Sequence, residues 1–355
     1  MNSWMRWLLV RNNSAVMSGR YLREPAWTPS EQFTSSRLAR KQRSAVEPCT
    51  LGSIIGFNEN HMDVADWAYQ KVGPSEIIWT FMMLFLPFGT IYGAWLFISD
   101  PWPDDVYVGG LLAVTFANVL ALPFLLWFGR ILFNTFTGYT HYPVRLDRKN
   151  QMVHVFRHNR EGGVSSYHWR DITFGMTGGG ALQRGFVKGV MAGYVKREDG
   201  TYDYFRLGVM WPTEEGMRGQ WEYFRRYMEE GPDSLPEPEI LLPIDGKRES
   251  FRVGAQLCWF LAGPMLGPAI FLAPLTVPGS LLRWFIMHVT RRLPRWPQHI
   301  VDACPISPDD KYAFKPAKRL DVSFELAFVV TIGVLALDAT LLYWFVSWLS
   351  QPGYH

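Results

Sequence analysis

The sequence predicts an α+β fold class: a multi-pass helical membrane protein with a cytoplasmic module made of an antiparallel β-sheet plus a helix. Two observations predict it. The 355 residues concentrate their apolar content in long uncharged runs instead of spreading it at helix or strand spacing. Between these runs, other stretches alternate apolar and polar residues around turn signals, as strands do. Membrane and aqueous segments are therefore expected to alternate along the chain.

The first predicted segment, residues 1–73, is a basic arm rich in Ser, Arg and Asn that shows no sustained period. This composition predicts that most of the arm is disordered. Residues 61–72 are an exception, because their apolar residues would line one side of an amphipathic helix lying on a membrane. The basic cluster from Arg37 to Arg43 would suit anionic lipid, although a solvated tail accounts for it more simply.

A transmembrane helical hairpin is predicted over residues 74–129. Residues 77–98 and 106–128 carry no charge, and a hydrocarbon core is crossed by roughly 20 such residues. The turn between them has three Asp and no Lys or Arg, whereas the arm before them is basic. The positive-inside rule therefore places the N-terminus and the chain after residue 128 in the cytoplasm.

The cytoplasmic module is expected over residues 130–250. Residues 143–156 alternate on both sides of a turn-like stretch, which predicts a β-hairpin, and a further strand fits residues 164–174. Residues 190–196 and 202–209 form another strand pair around an Asp-Gly turn signal.

A closing helix is predicted over residues 213–230. Its large apolar residues recur at spacings of four, three and four, so that one helix face can lie across the sheet; they are Met217, Trp221, Phe224 and Met228.

The last predicted segment is a membrane region over residues 251–349. It comprises a proline-broken re-entrant hairpin at 253–289, a basic cytoplasmic loop at 290–322 and a final transmembrane helix at 324–349. Length alone leaves open whether residues 253–289 cross once or re-enter. Basic residues on both flanks favour re-entry, because both flanks would then be cytoplasmic.

An intramembrane polar anchor is predicted around Asp338, with Arg283 and Asn118 as its candidate partners. A carboxylate at that depth is costly, so it should face other helices and find a partner. It could serve as a proton or ion relay or form a buried structural hydrogen bond. Transport paths usually use several such groups, and the near absence of others favours the structural anchor.

Basic residues of the module are candidates for lipid or partner contact, and they are Arg145, Arg148, Lys149, Arg184 and Lys188. The ordinary positive-inside bias would explain the same surplus. The glycine-rich stretch 175–180 before Arg184 lacks the ending of a phosphate-binding loop, so a flexible loop is expected there.

No catalytic, metal or cofactor site is predicted. Three histidines on putative strands are expected to be exposed and to lack further metal ligands; they are His154, His158 and His168. The three cysteines have no close pairing, which predicts neither disulfide nor zinc site. No Gly-x-Ser-x-Gly elbow occurs, so the chain is not expected to be an enzyme. No nucleic-acid partner is expected, and the oligomeric state is left open.

The order of these features carries a resemblance. Two transmembrane helices, an LDRKNQMVHVF hairpin, a WRDI strand and a closing helix resemble bacterial membrane proteins with a pleckstrin-homology-like domain after a helical hairpin. Over about residues 75–320 the chain is also similar to an uncharacterised family of proteobacterial inner-membrane proteins encoded near type VI secretion toxins. The resemblance implies a sheet-plus-helix module, but it identifies no functional residues.

The sequence therefore predicts a non-enzymatic integral protein of the bacterial inner membrane, whose cytoplasmic module binds a protein partner or anionic lipid. An immunity or accessory protein of a toxin system fits this hypothesis, with a toxin or secretion component as the partner; only the resemblance points to toxins. The alternative is a small transporter or channel component that uses Asp338 and the proline-broken segment near Arg283. No internal repeat supports the alternative.

Overall fold

The structure is a computed structural model. It describes residues 36–66, 104–157, 163–178, 189–198, 202–211, 213–238, 248–260 and 273–313, together with isolated residues between 69 and 347. These residues fall into two compact units. The first unit lies within Met1–Lys71, Tyr139–Gly254 and Arg292–Leu320, and the second lies within Val72–Gly138, Ala255–Arg291 and Asp321–His355.

The first unit contains two antiparallel sheets. A four-stranded sheet has the order β1-β7-β8-β9, with β1 Arg37–Leu38, β7 Thr173–Gly178, β8 Gly189–Lys196 and β9 Tyr202–Trp211. A five-stranded sheet has the order β2-β3-β4-β5-β6, with β2 Ile54–Phe57, β3 His61–Val64, β4 Val144–Asp147, β5 Met152–Phe156 and β6 Val164–His168. Every strand pair is antiparallel.

The predicted single strand at 164–174 is two strands that belong to different sheets. A 3₁₀ turn at Trp169–Asp171 separates β6 from β7. Trp169 is buried, and its backbone N–H still donates to Gln151 O in β5 at 2.9 Å. The chain therefore leaves the five-stranded sheet directly after this bond and enters the other sheet.

A helix, α2 Glu214–Glu229, packs on both sheets. Thr213 caps its start, because its hydroxyl accepts a hydrogen bond from the backbone N–H of Gly216 at 3.2 Å. The apolar spacing in the sequence directs one helix face into the core of the first unit. Buried helix residues in this core are Met217, Trp221, Tyr223, Phe224, Tyr227 and Met228.

The N-terminal arm needs a correction, since residues 37–64 contribute three strands to the two sheets. Residues 61–64 were expected to begin an amphipathic helix, yet they form β3. Met62 and Val64 are fully buried in the core, whereas Asp63 between them faces the opposite side of the sheet. That period of two is a strand pattern. Residues 1–35 lie outside the described part of the chain.

The predicted basic loop at 290–322 also needs a correction, because part of it completes the first unit. Thr140 N donates to Arg292 O at 2.8 Å. A short helix follows at α5 Gln298–Ala303, and Ile300 and Cys304 are buried. This segment packs over the side of the five-stranded sheet that faces away from the core, as its contacts with Asp63 and Asn60 show.

The described part of the second unit is helical. It contains α1 Asp104–Thr137 and α4 Ala273–Phe285, which continues as a π-helical turn at Ile286–Thr290. A further helix, α3 Phe251–Phe260, begins in the first unit and ends in the second. Exposed side chains of α1 include Leu112, Phe116, Leu126 and Phe133. Most residues of the predicted segments 77–98 and 324–349 lie outside the described part of the chain.

The predicted multi-pass helical membrane architecture is contradicted. Within the residues that the structure describes, no helix combines the length and the sustained apolarity that a membrane crossing requires. The predicted crossing at 106–128 is part of α1, which begins at Asp104 and Asp105 and includes Pro123 and Arg130. The helix is therefore not confined to the uncharged run on which the prediction rested. The fold class is corrected to α+β with two antiparallel sheets.

Candidate ligand-binding cleft

A cleft lies between the segment that follows β1 and helix α2. The strand β1 pairs with β7 over only two residues, Arg37 opposite Gly175 and Leu38 opposite Phe174. The chain then runs without regular structure along α2 as far as residue 50. The cleft has a volume of about 350 Å³, and it is lined by Arg37, Leu38, Ala39, Gln42, Arg43, Ser44, Ala45, Val46, Arg218 and Trp221. This volume is at the lower end of the range of small-molecule sites.

The apolar wall of the cleft rests on a cluster of aromatic rings. Trp221 is buried and stacks on Trp169 with ring centroids 5.8 Å apart. Its ring also lies 4.8 Å from that of Phe174 in β7. Because these rings belong to the helix, the 3₁₀ turn and the sheet, the cleft wall is part of the core and is held rigidly.

Three contacts hold residues 40–44 against the rest of the first unit. Arg40 Nη1 donates to Trp169 O at 2.6 Å, and Ser44 N donates to Glu222 Oε2 at 3.0 Å. Arg43 forms a two-pronged ion pair with Glu230, with N–O distances of 2.6 and 3.1 Å. These contacts fix the segment that forms one side of the cleft.

Glu222 is the buried carboxylate that holds Ser44 against α2. Arg225 donates to both of its carboxylate oxygens at 2.8 and 2.9 Å, and Arg226 donates to Oε1 at 2.7 Å. Burial by itself would raise the pKa of Glu222, but the hydrogen bonds from Arg225, the Ser44 amide and Arg226 outweigh burial and lower it to about 2. Glu222 therefore stays ionised at neutral pH and fixes the Ser44 end of the segment.

A glycine permits the close approach of this segment to α2. A Cβ built on Gly219 would lie 2.7 Å from Cys49 Sγ and 2.8 Å from Glu47 O. Cys49 N also donates to Gly219 O at 3.2 Å. A larger residue at 219 would therefore push residues 47–49 away from the helix.

Arginines give the cleft its charge. Arg37 is exposed and has no ion-pair partner among the residues that the structure describes. Arg218 pairs with Glu214 at 2.7 Å, but both side chains are exposed, and such a surface pair contributes little and exchanges readily. Guanidinium groups bind carboxylates and phosphates through paired N–H donors. The cleft therefore suits an acidic group carried by a segment with some apolar surface.

Three of the five predicted contact residues of the module lie within the described part of the structure. Arg145 is buried, and its Nε and Nη2 each donate to Asp63 at 2.8 Å, while its guanidinium lies 4.9 Å from the ring centroid of Trp296. It is therefore a structural ion pair and not an available contact. Arg148 donates to Glu59 O at 3.0 Å, and Lys149 is exposed. Arg184 and Lys188 lie outside the described residues.

The predicted polar anchor is only partly visible. Arg283 is fully buried in the second unit, where its Nη1 donates to Val72 O at 2.8 Å. Asn118 belongs to α1, but its side chain lies outside the described part of the structure, as does all of Asp338. The pairing of Arg283 with Asp338 stays a prediction.

The predicted exposed histidines also need a correction. His154 is buried, because the segment at 292–313 covers this side of the sheet; its Nδ1 lies 2.7 Å from Ser166 Oγ and its Nε2 lies 3.6 Å from Asp147 Oδ2. His168 is exposed, and His158 lies outside the described residues.

The positions of Ser166, His154 and Asp147 follow from strand register, which the sequence does not show. Ser166 on β6 lies opposite His154 on β5, and Asp147 on β4 lies diagonally across from His154, which brings a hydroxyl, an imidazole and a carboxylate together. Ser166 lies in mid-strand and not at a strained strand-to-helix turn of the kind that exposes a serine nucleophile. We therefore interpret this group as a structural ladder. Among the described residues, no three His, Cys, Asp or Glu side chains converge as metal ligands would.

Sequence reasoning missed the cleft because its two walls lie far apart in the chain. The composition around the basic cluster from Arg37 to Arg43 predicts a disordered arm and not a cleft wall. Trp221 was predicted as a core residue, and Arg218 one turn before it carried no distinguishing signal. An apolar residue between basic ones, as Leu38 is, was the available sign that the arm returns to the core.

Comparison with known proteins gives one family. Residues 121–308 match the model of a family of unknown function, DUF6708. Since the match covers just over half of the chain, the chain belongs to this family. No curated protein and no solved structure matches the chain.

Proposed function

We propose that this member of a family of unknown function, DUF6708, is a non-enzymatic binding protein that captures an acidic segment of a protein partner in the cleft beside α2. The observation that carries the proposal is Arg37, an exposed guanidinium without an ion-pair partner among the described residues, at the rim of a cleft whose wall is Trp221. Aromatic and arginine side chains are the residue types that dominate protein-binding sites.

The arrangement favours a peptide over a lipid surface. The cleft is lined by arginines and by an apolar wall, so one acidic side chain can be bound next to one apolar side chain. A lipid surface is instead bound by a broad basic face whose strength grows with the number of charges. These features support our choice of a protein partner over anionic lipid.

The test is a titration of the full-length protein against a fluorescein-labelled peptide in which glutamates flank one leucine. Arg37→Glu should weaken binding at least about tenfold at low ionic strength, because the reversed charge repels the peptide. Lys196→Glu makes the same charge change on an exposed residue of β8 away from the cleft and should leave binding unchanged. Equal binding by both variants contradicts the proposal, and so does a preference for vesicles containing phosphatidylserine.

We also propose, on the sequence resemblance alone, that the partner is a toxin or a secretion component. A gene next to this one that encodes a toxin would support this, and the purified toxin should bind the wild-type chain more tightly than Arg37→Glu. Location at the bacterial inner membrane stays a prediction, which fractionation of cells tests.

A further inference from the structure

The five-stranded sheet ends in an edge strand, β6, whose outward backbone groups can be assigned from the register. Trp169 N donates to Gln151 O, and Arg157 N donates to Gly163 O, which fixes the hydrogen-bonded pairs between β5 and β6. In an antiparallel ladder such pairs alternate with pairs whose N–H and C=O groups point away from each other. The backbone groups of Val164, Ser166 and His168 therefore point out of the sheet.

These outward groups have no backbone partner among the described residues, since the sheet order ends at β6. Ser166 and His168 are exposed and Val164 is half-buried. Edge strands are usually protected by Lys, Pro, a bulge or a very short length. The sequence of β6, VSSYH, has none of these, and its pairing with β5 is regular.

The other edge strands are less suited to pairing with a further strand, because each is short, buried or irregular. β1 is two residues long, and β2 is mostly buried. β9 is irregular, because its pairing with β8 shifts register between Gly189 and Met191. Irregular pairing twists an edge and hinders the addition of a further strand. Among the strands that the structure describes in the first unit, β6 is thus the regular and accessible edge.

We propose that β6 is the interface of a homodimer, in which β6 of a second copy pairs antiparallel with it about a two-fold axis at Ser166. The register is self-complementary. Ser166 lies opposite Ser166 of the partner subunit, and Val164 lies opposite His168 of the partner subunit, so that outward groups meet outward groups and about six backbone hydrogen bonds form. No like charges of the strand face each other, and the small serine allows close approach at the axis.

The contact between Ser166 and His154 of the neighbouring strand β5 supports this pairing. His154 Nδ1 lies 2.7 Å from Ser166 Oγ, so the serine side chain is held toward the sheet and away from the approaching strand. Two-fold pairing of this kind uses the same patch on both copies and closes after two subunits. The two sheets of five strands would then form one continuous sheet across the dimer.

The experiment measures the mass of the full-length protein in solution by light scattering. Wild type and Ser166→Ala should be dimeric, because alanine keeps the backbone groups and removes only the hydroxyl. Ser166→Lys and Ser166→Glu should each be monomeric, since two like charges would lie directly opposite each other at the axis. Mixing the lysine and glutamate variants should restore a one-to-one dimer.

The outcomes separate folding from pairing. The circular dichroism spectrum of each variant should match that of Ser166→Ala, and each variant should unfold cooperatively, although the monomeric variants should unfold at a lower temperature because they lack the stabilisation that association provides. Restoration by mixing requires folded chains. A monomeric wild type overturns the proposal, as does a dimer that neither charged variant weakens. A wild type that is monomeric alone and binds an extended peptide of another protein at β6 would assign the edge to a different partner and would also overturn it.

Discussion

The indole rings of Trp169 and Trp221 stack with their centroids 5.8 Å apart and an interplanar angle of 20°. Trp169 belongs to the 3₁₀ turn that joins the two sheets, and Trp221 lies in the middle of α2. Trp169 Nε1 also donates to Glu229 Oε1 at 2.7 Å. One pair of rings thus connects the sheet junction, the helix and the wall of the cleft.

Replacing Trp221 with alanine should therefore destabilise the first unit by about 3 to 5 kcal/mol, because a large buried side chain is lost and a cavity remains. The measurement is chemical denaturation of the full-length protein, followed by circular dichroism. Trp284→Ala is the control, since that indole is 43% exposed. Similar unfolding midpoints for the two variants would show that Trp221 is not part of a packed core.

Gly219→Ala should destabilise the protein by about 1 to 3 kcal/mol, because the added methyl group would collide with Cys49 Sγ and Glu47 O and force the segment away from α2. Peptide binding in the cleft should weaken together with stability. Gly109→Ala is the matched control in α1, since a Cβ there meets nothing within 4 Å. Thermal unfolding checks both variants, and an unchanged melting temperature for Gly219→Ala would contradict the close approach.

The parts of the fold that follow from local pattern could be predicted. The expected hairpin at 143–156 coincides with β4 and β5, and the expected helix at 213–230 differs from α2 by one residue at each end. Both signals are local: alternation around a turn in the first case, and apolar spacing with a capping threonine in the second. Such signals require no knowledge of what the element packs against.

The remaining parts depend on contacts between distant residues. β3 pairs with β4, although α1 and other residues separate them in the chain, and four residues of β3 are too few for a distinct period. The cleft combines residues 37–46 with Arg218 and Trp221 for the same reason. The long apolar runs are the strongest pattern in the sequence and predict membrane crossings. They give no information about how the N-terminal strands pair within the two sheets.

Asp63→Ala should destabilise the protein by about 3 to 5 kcal/mol, because it leaves the buried guanidinium of Arg145 without its carboxylate. Burial alone would raise the pKa of Asp63, but Arg145 outweighs burial and lowers it, so the carboxylate is ionised in the native protein. Urea unfolding at neutral pH measures the loss.

The double variant Asp63→Leu with Arg145→Leu is the control for this pair. It removes both charges and leaves apolar side chains beside Trp296, so it should be more stable than Asp63→Ala. A double variant as unstable as the sum of both single substitutions would show that the two residues do not interact.

The carboxylate of Glu222 should make stability depend on pH in the acid range. Its pKa is lowered from 4.5 to about 2, so between these values the unfolded chain binds a proton that the folded chain does not. The contribution of Glu222 is therefore complete above about pH 4.5 and is lost as the pH falls towards 2. Glu222→Gln keeps an acceptor of the same shape but loses the charge that Arg225 and Arg226 bind. At neutral pH it should cost about 1.5 to 3 kcal/mol, a typical value for hydrogen bonds to charged groups.

Urea midpoints of wild type and Glu222→Gln, compared at neutral pH and at about pH 3, check this dependence. The difference between the two proteins should shrink on acidification, because the wild-type carboxylate takes up its proton as the chain unfolds. Glu198→Gln, on an exposed residue of the turn after β8, should follow wild type at both pH values. A difference that stays constant with pH would mean that Glu222 acts through its shape alone, and that Ser44 is held against α2 without help from its charge.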